Sequence, residues 1–389
     1  MNSLNQFSFF LDTRIEFGTG KINNLHKYIQ ELNGDKVLII TDKVLVKIGV
    51  INPIIDILED NKIPFEIFDE VEPDPKCALV DKAGEFCKEK KCNLIIAFGG
   101  GSSMDTSKGA SVVAVNEGSC YDYLDGRGDM KKTIKNSPIP IIAVPTTSGT
   151  GSEVSQYAVI THNNVKDSIT SSSIYPRISV IDANFMKKLP STVTAYTGLD
   201  ALGHAIEGYT SKIENAFTDL FALEAIRLIF KNLPTAVNSG DLESRNNMAL
   251  AALLGGISMS HCGATLPHAM GCPLSGHLKV PHGLAVGVLQ IPMMEYNKKS
   301  LKNKFKNILN YINPDTINIE AGKCTEILID KVDKLMKDIK VNEFIEVDNF
   351  NEQTLNNMID DTMIHGCTAL NTTEMTKEAV KNIYSTIIK

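Results

Sequence analysis

The sequence lacks the features that mark secreted, membrane-spanning and nucleic-acid-binding proteins. Residues 1–20 contain no basic segment followed by an apolar one, so they predict no signal peptide. The longest apolar run, residues 248–259, is interrupted by Gly255 and Gly256 and is shorter than the ~18 residues that a membrane span needs. Lysine and arginine are scattered through a chain of net charge −7, which argues against binding to nucleic acid or to an anionic membrane.

The cysteines also exclude two classes of protein. The eight cysteines are dispersed and include no C-x-x-C pair, so we predict neither a disulfide framework nor a cysteine-based structural zinc site. Without a secretion signal they are expected to be reduced thiols, and we predict a cytoplasmic protein. A length of 389 residues, 43% of them hydrophobic and 22% charged, indicates a folded protein of two domains.

Short apolar runs alternate with helical patterns in the first half of the chain and nearly vanish from the second. Strands are predicted at residues 36–42, 64–69, 93–99, 139–145 and 179–182. Their alternation with helices predicts a parallel sheet, so we expect a Rossmann-like α/β nucleotide-binding domain at residues 1–188. Helical patterns at residues 195–209, 216–230, 245–260, 284–293, 319–340 and 374–388 predict an all-α domain at residues 189–389, and the Lys- and Asn-rich residues 297–313 are expected to be a solvated helix with its loops.

Two glycine- and hydroxyl-rich segments each follow a predicted buried strand. The first, GGGSSMDTSK at residues 99–108, joins three glycines to a helix start, an arrangement that suits a pyrophosphate. The second, VPTTSGTGSEVS at residues 144–155, offers several small hydroxyl donors. Either segment alone is also compatible with a tight turn. Because ligands of open parallel sheets bind beyond the carboxyl ends of the strands, the two together predict a nucleotide site.

Asp42 ends the first predicted strand. A carboxylate at this position would bind a ribose 2′-hydroxyl and repel a 2′-phosphate, which favours NAD over NADP. The alternative is an ordinary surface aspartate with no such role.

The histidines are few but clustered. Four of the eight lie between residues 261 and 282, and His204 follows Asp200 by four residues, which places both on one face of a predicted helix. A lone buried histidine is more often a core residue than a ligand, but this clustering favours ligands. One carboxylate with several imidazoles and no thiolate suits Fe(II), Zn, Mn, Co or Ni.

Four segments together resemble the iron-containing, or group III, alcohol dehydrogenases. They are the two loops quoted above, LPSTVTAYTGLDALGHAIEGY at residues 189–209 and HAMGCPLSGHLKVPHG at residues 268–283. The resemblance covers nearly the whole chain. It implies metal-dependent hydride transfer between NAD(P) and a small primary alcohol or aldehyde, in a homo-oligomer that is commonly a dimer.

The resemblance also implies roles for individual residues. The implied metal ligands are Asp200, His204, His268 and His282, with Fe(II) as the expected metal and Zn as the alternative. The implied cofactor-binding residues are Asp42, Gly99, Gly100, Gly101, Ser102, Asp105, Thr146, Thr147, Thr150 and Lys166. NAD is expected in preference to NADP.

The sequence departs from the family at Cys272, where many members have a histidine thought to help relay a proton. His277, five residues further on, is the candidate catalytic residue in its place, although we favour the alternative that His277 is a loop residue. Glu207, one turn beyond His204, is a candidate to support a ligand from behind.

Other functions are compatible with the same motifs. Within the oxidoreductases, the substrate could be a polyol or an acidic semialdehyde, as in glycerol-, propanediol- or hydroxybutyrate-type enzymes. A lyase like dehydroquinate synthase would need several basic residues for a phosphorylated substrate, and the segments near the metal offer only Lys279. The complete ligand set argues against a catalytically silent nucleotide-binding protein. The apolar residues 7–17 are a candidate subunit interface.

Overall fold

The computed structural model describes residues 6–163, 165–347 and 350–389, whose contacts divide into two compact units. The α/β unit comprises Phe10–Leu189. The helical unit comprises Pro190–Lys389 and the N-terminal stretch that ends at Phe9. The ring of Phe9 stacks on His261 at 4.1 Å between centroids, so Phe9 packs on the helical unit, whereas the sequence had grouped residues 1–188 in the α/β domain.

The α/β unit contains a six-stranded sheet in the order β1-β8-β5-β4-β2-β3, and a separate hairpin, β6-β7. All the strand pairs of the larger sheet are parallel, which confirms the predicted architecture, and the hairpin is antiparallel. The strands in the described residues are β1 (Arg14–Phe17), β2 (Val37–Ile40), β3 (Phe65–Phe68), β4 (Leu94–Gly99), β5 (Ile141–Pro145), β6 (Tyr157–His162), β7 (Val165–Thr170) and β8 (Ile178–Ile181).

Both faces of this sheet are covered. Alternate residues of the central strands enter different cores: Ile39 and Ile96 lie in one, and Leu38 and Ile95 lie in the other. This two-sided burial explains why these strands are continuously apolar in the sequence. The helices of the unit are α1 (Leu25–Glu31), α2 (Lys43–Lys47), α3 (Asn52–Asp60), α4 (Cys77–Glu89) and α5 (Gly101–Val113).

Three strands were not predicted, and each includes at least two polar residues. Strand β1, with the sequence RIEF, lies at the edge of the sheet and alternates charged with apolar residues. Strands β6 and β7 form a hairpin in which polar residues such as Thr161 and Lys166 face each other. Their formation depends on pairing partners that a single segment does not reveal.

The strand order creates a crevice at the carboxyl ends of β2 and β4. From β2 the chain crosses to β3 on one side, and from β3 it returns to β4 on the other side of β2. The register pairs Ile40 with Ala97, so Asp42 and Gly99 both follow two residues later. Gly99 in turn pairs with Pro145, at the end of β5. The divergence of connections beyond β2 and β4 is where open parallel sheets bind their ligands.

The helical unit is built around one hydrophobic core. In the described part of the chain its helices are α6 (Ser191–Thr210), α7 (Ala216–Asn238), α8 (Leu242–Cys262), α9 (Leu266–Leu278), α10 (His282–Asn297), α11 (Lys302–Ile312), α12 (Ala321–Asp338), α13 (Glu352–Ile364), α14 (Gly366–Leu370) and α15 (Lys377–Ile387). Helices α9, α13 and α14 were not predicted. Among the described residues no single helix is long and apolar enough to cross a membrane; α8 and α9 pass that test only as a pair, bent by 101°.

Candidate metal centre and nucleotide loops

Helix α6 places three ionisable side chains on one buried face. Asp200, His204 and Glu207 follow each other at intervals of four and three residues, so they align along the helix. Their exposed fractions are 2%, 5% and 1%. Charged groups this deep in a protein require partners of opposite charge or a metal, so this face of α6 is a candidate functional site.

One oxygen of Asp200 faces three imidazoles. Its Oδ1 lies 3.4 Å from Nε2 of His268, 3.7 Å from Nε2 of His282 and 4.0 Å from Nε2 of His204. Ligand atoms of Asp200, His204 and His268 all lie within 4.8 Å of one another. The structure therefore brings together the four residues predicted as ligands, from α6, α9 and α10.

Two of these atoms are buried and make no hydrogen bond, namely Oδ1 of Asp200 and Nε2 of His268. Buried polar atoms are rarely left unsatisfied, and a carboxylate oxygen without a donor is costly in the interior. A divalent cation of borderline hardness would satisfy both atoms, because it binds carboxylate oxygen and imidazole nitrogen together. The residues present thus fit a transition-metal ion.

Mutual electrostatics hold Asp200 and His268 in their charged forms. Burial raises the pKa of Asp200, but His204, His268 and His282 lower it by more, so its pKa lies well below the usual range. Burial lowers the pKa of His268, but Glu207 and Asp200 raise it by more, so its pKa lies well above the usual value. An unmetallated centre would therefore hold a proton that a bound cation displaces.

Glu207 fixes the orientation of His268. Its Oε1 lies 2.7 Å from Nδ1 of His268, and its Oε2 accepts hydrogen bonds from the backbone N–H of Thr265 at 2.7 Å and of His268 at 3.3 Å. Thr265, the N-cap of α9, makes no side-chain capping bond, so Glu207 also caps α9 from outside. Because Nδ1 donates to the carboxylate, Nε2 is the ring atom that faces Asp200 and a metal.

A glycine permits the close approach that brings His282 to the centre. Gly283, the second residue of α10, lies against the backbone of α6: a Cβ at this position would be 2.1 Å from the carbonyl oxygen of Tyr196. The same Cβ would be 3.4 Å from Cβ of Asp200. Any larger residue would push the start of α10, and with it His282, away from Asp200.

His277 is not brought to this group. It lies in the last turn of α9 rather than in the loop that we favoured, and its Nε2 is 2.7 Å from Oδ2 of Asp361. Nine residues beyond His268, it is on the opposite face of the helix and about 13.5 Å further along its axis. Cys272, four residues beyond His268, shares the face of that ligand. A catalytic role for His277 stays a prediction, and its contact with Asp361 favours a structural one.

The glycine loop and the hydroxyl-rich loop are in contact in the α/β unit. Gly99 adopts φ +148°, a conformation that favours glycine, and its carbonyl accepts a 2.9 Å hydrogen bond from the N–H of Thr146. Cβ atoms added at Gly100 and Gly101 would lie 3.3 Å from Cγ2 of Thr147 and 2.7 Å from Cγ2 of Thr150, respectively. The predicted residues of the two loops therefore form one surface, beside the start of α5.

The start of α5 suits a negatively charged group. The helix begins at Gly101, and its N-cap, Gly100, provides no side-chain cap. The first backbone N–H groups and the positive end of the helix dipole are thus left for a ligand such as a phosphate. The position of this helix start, next to the crevice between β2 and β4, matches that of a nucleotide pyrophosphate in related architectures.

Three other predicted cofactor residues have partners within the protein. Oδ1 of Asp42 caps α2 by accepting from the N–H groups of Val44 at 2.8 Å and Leu45 at 3.0 Å. Asp105 accepts a 2.7 Å hydrogen bond from Ser152. The third, Lys166, forms a 2.6 Å ion pair with Asp74. Their contacts with a cofactor stay predictions.

Sequence reasoning underestimated Glu207 and missed Gly283. The signal for Glu207 was available, because a second acid, seven residues after Asp200, returns to the same helix face. The role of Gly283 depends on how closely α10 approaches α6, which no local pattern records.

Comparison with known proteins places these two sites in a family. Residues 12–183 match the family described as "Iron-containing alcohol dehydrogenase", and residues 194–388 match the "Fe-containing alcohol dehydrogenase family, C-terminal". The choline dehydrogenase of Bacillus subtilis (strain 168) is 38% identical over 345 residues, which cover 88% of this chain and 85% of the relative. The 1,3-propanediol dehydrogenase of Citrobacter freundii is 36% identical over 344 residues, 87% of this chain and 88% of the relative.

Solved structures agree with these matches. A 1,3-propanediol oxidoreductase has a TM-score of 0.92 and 32% identity, and the match covers 98% of this chain and 100% of that one. The sulfoacetaldehyde reductase of Bifidobacterium kashiwanohense, solved in complex with NAD⁺, has a TM-score of 0.88 and 27% identity over 98% of this chain and 99% of that one.

Truncating a ligand should remove the metal and spare the fold. We expect His268→Ala and His282→Ala to lose stoichiometric Fe(II) or Zn on dialysis, because each removes one of four donor atoms. Of the three imidazoles His282 is the most exposed, at 29% of its side chain, so its truncation disturbs the core least. Metal analysis and circular dichroism measure the two effects, with His26→Ala in the α/β unit as control. Wild-type metal content in either variant would contradict the ligand assignment.

Glu207→Gln should weaken metal binding without removing a ligand. The glutamine keeps the size of the side chain but has one acceptor oxygen, so its amide N–H₂ must face either Nδ1 of His268 or the N–H groups that start α9. We expect metal affinity to fall by about 10- to 100-fold, the usual effect of losing a partner behind a metal-bound histidine. Competition with a chelator measures this, and the exposed Glu243→Gln is the matched control. Equal affinities in the two variants would show that Glu207 does not position His268.

Proposed function

Because the chain belongs to the iron-containing alcohol dehydrogenase family, we propose that it interconverts small primary alcohols and aldehydes by hydride transfer with NAD. The chain is a metal-dependent, NAD-linked alcohol dehydrogenase; the substrate class is the part that we add. The observation that carries the proposal is the single buried oxygen of Asp200 facing three imidazoles.

The residues of the helical unit would hold the metal and set its surroundings. Asp200 supplies the negative charge, and His204, His268 and His282 supply neutral nitrogen donors. A cation held there acts as a Lewis acid that lowers the pKa of an alcohol oxygen and polarises an aldehyde carbonyl. Glu207 keeps Nδ1 of His268 protonated, so the donor nitrogen is available throughout turnover. Fe(II) is the metal that we propose, and Zn fits the same donors.

The α/β unit would bind the cofactor, which carries the hydride chemistry. We assign the pyrophosphate to the residues at and around the start of α5 and to the hydroxyls of the neighbouring loop. The assigned residues are Gly99, Gly100, Gly101, Ser102, Thr146, Thr147 and Thr150, with Lys166 on the adjacent hairpin. Asp105 carries a negative charge that a phosphate would repel, so we place it beside another part of the cofactor. Asp42 would face the adenosine ribose from the end of β2. Oδ1 of Asp42 caps α2, so Oδ2 is the oxygen that would accept from the ribose.

The chemistry around the ligands favours a small alcohol without an acidic group over a phosphorylated acid. The helices that carry the ligands, α6, α9 and α10, contain no lysine or arginine. Lys279, which follows α9, donates a 2.7 Å hydrogen bond to the carbonyl of Gly276. These features argue against the lyase alternative, which would need several cations for its substrate. Choline and 1,3-propanediol, the substrates named for two relatives, each carry a primary hydroxyl and no acidic group.

A polyol or an acidic semialdehyde is the second candidate class. It is supported by the similarity to a sulfoacetaldehyde reductase.

We further propose that the enzyme is a cytoplasmic homodimer. Exposed aromatic side chains on the helical unit support an assembly: Phe7 and Phe217 stack at 6.4 Å between ring centroids and are 50% and 40% exposed. Light scattering of the purified protein tests the dimer.

Activity should depend on the metal and favour small primary alcohols. We expect protein reconstituted anaerobically with Fe(II) to form NADH with ethanol, 1,3-propanediol or choline. Protein loaded with Zn is assayed in parallel. Chelator-stripped protein should lose this turnover and regain it on metal addition, because the bound metal is the Lewis acid that lowers the pKa of the alcohol oxygen. The measurement is NADH absorbance across a panel of alcohols and aldehydes, with sulfoacetaldehyde and glycerol included. Metal-independent turnover, or activity confined to acidic substrates, would contradict the proposal.

NAD preference should depend on the charge of Asp42. We expect the wild type to turn over faster with NAD than with NADP, and Asp42→Asn to raise the relative kcat/KM for NADP by about tenfold, equivalent to ~1.4 kcal/mol. The asparagine keeps an oxygen that caps α2, so the substitution removes charge with little effect on the helix. Steady-state kinetics with both cofactors measure the ratio, and Asp35→Asn in the same unit is the control. A wild type that prefers NADP would refute this role.

A further inference from the structure

A buried lysine links the two nucleotide loops of the α/β unit. The side chain of Lys108, on α5, is 0% exposed. Its Nζ donates hydrogen bonds to Oγ of Ser152 at 2.8 Å, Oγ of Ser155 at 3.0 Å and the carbonyl of Tyr157 at 2.7 Å. An ammonium group has three donors, so every one is used, and all three acceptors lie on the chain that follows β5.

Asp105 completes the link one turn earlier on α5. Its Oδ1 accepts a 2.7 Å hydrogen bond from Oγ of Ser152, the same hydroxyl that accepts from Lys108. The hydroxyl proton therefore points to Asp105 and a lone pair points to Lys108. Two residues of one helix hold a single serine in one orientation, which leaves this part of the loop little freedom.

The charges of this cluster compensate one another. Burial lowers the pKa of Lys108 to about 8, although Asp105 and Glu153 act to raise it. Burial raises the pKa of Glu153 to about 7 and also raises that of Asp105, and the charge of Lys108 opposes both shifts. A buried ammonium is tolerated in the interior only with such partners. The acceptors of Lys108 link helix α5 to the chain that follows β5.

The segments that it joins are the ones that would contact the cofactor. Helix α5 begins in the glycine loop, and two acceptors of Lys108, Ser152 and Ser155, lie in the hydroxyl-rich loop itself. The loops are packed with little slack, because a Cβ at Gly101 would be 2.7 Å from Cγ2 of Thr150. A small displacement of residues 146–155 would therefore change the spacing between the donors of the two loops.

We propose that Lys108 is a positioning residue for NAD: it holds the hydroxyl-rich loop at a fixed spacing from the glycine loop without touching the cofactor. Its complete burial and its three protein acceptors leave it no contact with a ligand. The inference rests on the proposed NAD-linked function and deepens it, since it assigns the geometry of the cofactor site to a residue outside that site.

Replacement of Lys108 should weaken cofactor binding specifically. We expect Lys108→Met to raise the Kd for NADH and the KM for NAD about tenfold, because the loop is no longer ordered before binding. The KM for alcohol, the metal content and kcat at saturating NAD should change less than about twofold, because the substitution alters only the spacing between the hydroxyl-rich loop and the glycine loop. NADH fluorescence titration gives the Kd, and amide hydrogen exchange of residues 146–155 should become faster in the variant. Lys88→Met, on the exposed side of α4, is the matched control.

Two further variants separate positioning from simple loss of charge balance. Lys108→Met leaves two buried carboxyls without a counter-charge and can lower the melting temperature. Adding Glu153→Gln to it restores part of that balance, so stability should recover while the Kd for NADH stays raised. Ser155→Ala removes one acceptor of Lys108 and no charge, and we expect it to raise the Kd by about two- to threefold.

The outcomes distinguish this inference from the proposed function. If the wild type does not bind NADH, the proposed function fails. If the wild type binds NADH and folded Lys108→Met, or Ser155→Ala with the double variant, binds it equally well, only the role of Lys108 is overturned. A fall in kcat with an unchanged Kd would also overturn it.

Discussion

The buried carboxylate of Asp200 sets the conditions for the rest of the helical unit. An ionised oxygen at 2% exposure is tolerated only where positive charge or a cation surrounds it, and three imidazoles on α6, α9 and α10 supply the surroundings. These helices must then approach one another more closely than ordinary side chains allow. The requirement explains the glycine at position 283, because a Cβ added there would lie 2.1 Å from the carbonyl oxygen of Tyr196 in α6. Packing at this crossing is therefore dictated by the ligand set.

Two carboxylates of α6 act on opposite sides of one histidine. Asp200 faces Nε2 of His268, and Glu207 holds Nδ1 at 2.7 Å, so a single helix fixes both the position and the tautomer of a ligand that belongs to another helix. Glu207 also accepts from the N–H groups that start α9, which places a negative charge at the positive end of that helix. The start of α9 and the ligand that it carries are thus stabilised by the same group.

The sequence predicted the parts of the molecule in which chemistry and local pattern coincide. Buried parallel strands are continuously apolar, and the ligands Asp200 and His204 are linked by helical spacing, so both could be identified without a structure. The edge strand β1 and the hairpin β6-β7 could not, because their stability comes from pairing rather than from their own composition. Helix α9 was missed because two prolines, Pro267 and Pro273, and two glycines obscure its periodicity. His277 was therefore expected in a loop, whereas its helix carries it away from the ligands.

Both units solve the same physical problem, the placement of charge in an interior, in the same way. In each, ionisable residues lie three or four positions apart on one helix: Asp105 and Lys108 on α5, and Asp200, His204 and Glu207 on α6. The backbone of a helix satisfies its own hydrogen bonds, so the side chains are free to organise neighbouring segments whose backbones need them. The segments so organised are the hydroxyl-rich loop and the start of α9. Helices thus determine the geometry of segments rich in glycine and hydroxyls, whose own sequences specify little conformation. Small backbone and hydroxyl donors can then approach a ligand closely while their positions stay fixed.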